Sequence, residues 1–62
     1  MNNVEKAQLY DDLVRESDYL QRENSKIKSE NAGNIPPALQ EQINKNNTKI
    51  SYLVARLESL LR

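Results

Sequence analysis

Histidine and cysteine, the residue types on which zinc, haem and copper sites lean, do not occur among these 62 residues. A structural transition metal and a disulfide framework are therefore not expected. What remains for chemistry is carboxylate, hydroxyl, amine and amide. Asp11 beside Asp12, and Glu16 with Glu23, are carboxylate pairs of the kind that divide acid and base work. On a helix they all fall on solvated faces, with no pocket to make one an acid and the other a base, and they are read as surface charge. Ser17, Ser25, Ser29, Ser51 and Ser59 have no histidine to activate them, and one glycine cannot make a phosphate-cradling loop. No catalytic, cofactor-binding or metal-ligating residue is assigned. Neither an enzymatic activity nor a small-molecule substrate is expected.

The amines and amides carry more. Lys26, Lys28, Lys45 and Lys49, with Arg22, gather towards the middle of the chain, while Asp11, Asp12, Glu16, Asp18 and Glu58 lie towards its ends. A basic cluster can meet nucleic-acid phosphates, but Glu23, Glu30 and Glu41 interrupt this one and no aromatic residue stands near it for base stacking. Nine basic residues against nine acidic ones also leave no net charge to attract a polyanion. A solvated face is the expectation, and nucleic acid is not an expected partner. Asn24 and Asn46 are the amides of interest, because Asn46 interrupts an otherwise regular apolar spacing and Asn24 shares the stripe of the other helix.

Positioning these groups are two helices and a break. From Asn2 to Asn31 there is no Gly or Pro, and Leu13, Leu20 and Ile27 recur every seven residues, the period of a helix with one apolar stripe. Asn2 followed three residues later by Glu5 has capping-box spacing, in which each side chain satisfies an N–H at the other end of the turn. The segment Asn31-Ala32-Gly33-Asn34-Ile35-Pro36-Pro37 stops and restarts the chain: Gly33 suits the left-handed position after a helix, and two prolines fit only a first turn. Beyond it Leu39, Ile43, Ile50, Leu53, Leu57 and Leu60 alternate spacings of three and four around a gap at Asn46. The pattern predicts one all-α domain over residues 1–62, with helix 1 at about 3–31, a loop at about 32–35 and helix 2 at about 36–62.

The two stripes fit each other. With Leu13, Leu20 and Ile27 at heptad position d and Ile43, Ile50 and Leu57 at a, folding about Ile35 layers a against d throughout an antiparallel pair. The layers are Tyr10 with Leu60, Leu13 with Leu57, Ser17 with Leu53, Leu20 with Ile50, Asn24 with Asn46, Ile27 with Ile43, and Asn31 with Leu39. Asn24 and Asn46 thus meet, where two amides can bond each other instead of facing hydrocarbon and set the register. At the flanking g positions Glu16 is expected opposite Arg56 and Glu23 opposite Lys49.

A hairpin of this size has a thin core, and its stripe is wider than one seam. At the e positions Ala7, Val14, Val54 and Leu61 are apolar, all near the open end, and Leu9 and Val4 broaden the face further. Such a width is that of a helix in a bundle of more than two. Association is expected through Ala7, Tyr10, Leu13, Val14, Leu53, Val54, Leu57, Leu60 and Leu61, most simply with a second copy to give a four-helix dimer, otherwise with another helical protein. Tyr19 and Tyr52 fall at c positions and are expected as half-buried rim residues.

In length and layout the chain resembles the small plasmid-encoded Rop proteins, helical hairpins that dimerise into four-helix bundles and bind RNA loop pairs. The resemblance implies a bundle dimer. The family's RNA function does not carry over, since its cysteines, histidines and the aromatic residue at its RNA-binding face have no counterpart here, and a Rop-like RNA-binding bundle is the least favoured of three expectations, resting on the interrupted basic cluster near the loop. Small hairpin co-chaperones of secretion systems are similar in size. Leu60-Leu61-Arg62 ends in mid-pattern, so an oligomerisation segment of a longer protein is a second expectation. The first residues, Met1-Asn2-Asn3-Val4-Glu5-Lys6, have neither the basic nor the apolar stretch of a targeting signal, and no run is long enough to span a bilayer. A cytoplasmic protein is expected, with the nucleus left open.

Overall fold

A computed structural model describes residues 2–62. Met1, the first residue of the stretch read for targeting signals, lies outside the described residues. Regular structure among the described residues is helical: α1 spans Asn3–Glu30 and α2 spans Pro37–Leu61, and the two pack against each other along their length. At a rise of 1.5 Å per residue they are about 42 and 38 Å long, which gives an elongated molecule of 47 × 15 × 14 Å. No helix is long and apolar enough to cross a membrane.

Local chemistry sets both ends of α1. The Asn2 side chain accepts from the Glu5 N–H at 2.8 Å, the expected N-cap bond. The return half of the capping box differs, because the Glu5 carboxylate takes the Asn2 side-chain amide at 3.4 Å. At the other end Asn31, rather than Gly33, terminates the helix. Its backbone N–H and side-chain amide both donate to the Ile27 carbonyl, at 3.1 and 2.8 Å, and so satisfy an acceptor that the helix end would otherwise leave bare. Gly33 lies two residues further on, with φ +93°, in a turn closed by the Asn34 N–H on the Asn31 carbonyl at 3.1 Å. Positive φ at that place in a four-residue turn favours glycine.

The start of α2 is shifted by one residue from the sequence expectation. Pro36 is extended, with ψ 148°, and serves as N-cap, while Pro37 takes the first helical position. A residue that precedes proline is pushed out of the helical region by the ring Cδ, so only the second of two consecutive prolines can begin the helix. The Pro36 carbonyl then accepts from the Leu39 and Gln40 N–H groups.

Burial follows the heptad seam. Leu13, Ser17, Leu20 and Asn24 of α1 and Ile43, Asn46 and Leu53 of α2 are buried, and every one is an a or d position. Leu13, Leu20 and Leu53 form the core cluster, with Leu9, Ile50, Leu57 and Leu60 packed against it. Leu9 had been assigned to the outer face. Its g position borders the seam closely enough for a long side chain to fold in.

Candidate functional site

The seam is held in register by a closed hydrogen-bond network. Asn46 Nδ2 donates to Asn24 Oδ1 at 2.9 Å, the pairing that folding about Ile35 predicts. Its second proton goes to Glu23 Oε1 at 3.0 Å, and Asn46 Oδ1 accepts from Gln42 Nε2 at 2.9 Å. Asn24 Nδ2 in turn donates to Asn47 Oδ1 at 2.9 Å. Among the described residues no buried side-chain polar atom lacks a partner. Glu23, Gln42 and Asn47 were not assigned to this network from sequence. The signal for them was their place beside the Asn layer, at g, g and e. The two buried amides at its centre, Asn24 and Asn46, have their polar atoms partnered within the hairpin, while Gln42 and Asn47 at its margin are exposed.

Flanking charges settle differently from expectation. Glu16 pairs with Lys49 at 2.9 Å and not with Arg56, and Glu23 serves Asn46 and not Lys49. Arg56 lies instead over the Tyr52 ring, 5.9 Å from its centroid, a local cation–π contact with its neighbour one turn back. Tyr19 and Tyr52 stand at one level on either side of this edge. They are 65% and 60% exposed, well beyond the half-buried rim expected of them.

At the basic loop end, Arg22 is held by Asp18 at 3.1 Å, Lys45 by Glu41 at 3.6 Å and Lys49 by Glu16. Three of the five cations are thus already matched by carboxylates of the chain. Among the described residues no group of three or more acidic side chains is arranged to hold a metal ion.

The nine residues expected to form an association surface separate into three sets. Leu13 and Leu53, each 3% exposed, are enclosed within the hairpin and present no surface to a partner. Leu57 and Leu60 are half-buried against the same cluster. Left open are Ala7, Tyr10, Val14, Val54 and Leu61, the last 72% exposed and Val14 41%. They lie on the e side of both helices near the open end. Ala7, Tyr10, Leu60 and Leu61 line an open groove there, together with Asn3, Lys6 and Asp11. Towards the loop the same side carries Gln21, Lys28, Gln40 and Asn47, so the apolar strip ends about halfway along the molecule.

Such an arrangement can bury a partner's apolar side chains, and that is its chemistry. Val4, 75% exposed, extends the patch outward at its far end. No family model, curated protein or solved structure matches the chain.

Proposed function

We propose that the chain is a non-enzymatic protein–protein interaction module: a hairpin made rigid by its own heptad seam, which associates with a helical partner through the open-end edge. The observation that supports this is an asymmetry along one side of the molecule. The loop half of the e side is polar and, among the described residues, no buried side-chain polar atom lacks a partner, whereas Tyr10, Val14, Val54 and Leu61 remain 39% exposed or more in the other half. Exposed apolar side chains gathered at one end and rimmed by polar residues are what an interaction surface offers a partner.

The partner is a second copy, as in a four-helix dimer, or another helical protein. In either case the association surface is narrower than the whole seam. Val14 and Val54 form its loop-ward end, where they stay 41% and 39% exposed while their seam neighbours Leu13 and Leu53 are enclosed.

The test is sedimentation equilibrium over a hundredfold range of concentration, alone and with amphipathic helical peptides, on the chain and on a V14S/V54S variant. Association that the variant loses, with its helical circular dichroism retained, is the expected result. Association that survives the two substitutions, or no association under any of these conditions, refutes it.

A further inference from the structure

We infer that the occupant of the open-end edge is a short amphipathic helix of another protein, carrying Lys or Arg beside its apolar stripe, and not a second copy of this chain. The inference rests on the edge being a docking surface, as proposed above, and two observations decide what fits it.

Size is the first. Ala7 and Val14 on α1, and Val54 and Leu61 on α2, span one heptad each, and the hairpin is 15 Å across. With ~1.5 Å of rise per residue the strip's footprint is on the order of 200 Å², and even twice that falls well short of the ~800 Å² per partner of a stable standard interface. Two hairpins laid face to face would bury little apolar surface beyond it, because the loop half of the side is polar. About two turns of a partner helix match the strip's length. It would lie between α1 and α2 as a third strand and bind weakly and reversibly.

Charge is the second. Asp11 borders the strip on α1, where it lines the groove, and Glu58 holds the equivalent outward position on α2. The register fixed by Asn24 and Asn46 brings the two to the same level within about one residue's rise. Among the described residues neither carboxylate is in an ion pair, whereas Asp18, one heptad beyond Asp11 on α1, is answered by Arg22. Lys6 lines the groove with Asp11, and Arg15 lines the neighbouring depression with Asp11 and Val14, but neither forms an ion pair with Asp11 among the described residues. A two-fold axis through the middle of the strip, lying along or straight across the helices, would set carboxylate against carboxylate. Basic residues flanking a partner's apolar stripe would instead meet one carboxylate on each side.

The experiment measures fluorescence anisotropy of two labelled synthetic peptides of the same length, one an amphipathic Leu/Lys helix and the other its Leu/Glu counterpart, titrated with the full chain. At low salt the Leu/Lys peptide is expected to bind roughly tenfold more tightly than the Leu/Glu peptide, the scale of two exposed ion pairs. That preference should shrink as salt is raised. D11N/E58Q should abolish the preference, V14S/V54S should abolish binding of both peptides, and E30Q/E41Q at the loop end should change neither.

Equal or better binding of the Leu/Glu peptide overturns the inference. So does Leu/Lys binding that persists in V14S/V54S, which would be unspecific attraction. A chain that is a dimer at micromolar concentration and becomes monomeric in V14S/V54S overturns it while leaving the interaction edge standing. Absence of both peptide binding and self-association would remove the two together.

Discussion

Replacing Asn46 by Leu removes three side-chain hydrogen bonds at once: those to Asn24, to Glu23 and from Gln42. The losses are unequal. Glu23 is half-buried and Gln42 exposed, so both can turn to water, but Asn24 is 6% exposed and its Oδ1 is left facing the new methyl groups. An orphaned buried acceptor costs ~1–3 kcal/mol, which cancels most or all of the ~1.5–3 kcal/mol that burying a leucine contributes. Asn24→Leu alone leaves one Asn46 amide proton facing the new methyl groups, while its bonds to Glu23 and from Gln42 remain. With both changed the orphan disappears, because the remaining former partner, Asn47, is exposed and can be solvated. The double variant should therefore exceed the additive expectation from the two singles by ~1–3 kcal/mol. For a domain of this size, ~1 kcal/mol corresponds to about 4–8 °C in Tm. Thermal and urea denaturation followed by helical circular dichroism reads the cycle directly. The double variant should melt above the wild type and, having lost its one polar layer, should show looser register as faster amide exchange or mixed oligomers. Strict additivity would show that the two amides act independently. Loss of folding in the double variant would show that the seam needs them for stability and not for uniqueness.

Register at the flank is tested by charge reversal: Glu16→Lys should lower stability by at most ~1 kcal/mol, because the pair with Lys49 is largely exposed. The decline should be restored by K49E and not by R56E, and rescue by R56E would refute the observed pairing. Gly33→Ala should cost ~1–2 kcal/mol in the unfolding free energy. An added Cβ there meets nothing within 4 Å, so the whole effect would come from holding an L-residue at φ +93°; a neutral substitution would contradict that account.

Much of the hairpin was legible before any coordinates, and the reason is local. The seven-residue recurrence of Leu13, Leu20 and Ile27 needs only helical periodicity to place them on one face. The Gly33-to-Pro37 segment needs only backbone sterics to break the helix. Once both stripes exist, a single fold point brings Asn24 to Asn46, and the structure has that bond at 2.9 Å. The boundary details were less accessible. Asn31 capping its own helix and Pro36 standing outside the next depend on which of several adjacent residues captures a given carbonyl, and periodicity does not rank them.

The sequence by itself determined two helices, their antiparallel pairing, the Asn layer and the concentration of apolar e positions at one end, since each follows from spacing along the chain. Only the tertiary structure decided that Glu16 reaches Lys49 while Arg56 settles over Tyr52. It also decided that Glu23, Gln42 and Asn47 close the amide network, and that Leu13 and Leu53 are enclosed while Val14 and Val54 stay open. These outcomes are competitions among partners within reach, or matters of how deeply a neighbouring helix covers a side chain. They turn on distances across the helix pair, which spacing along one chain does not specify.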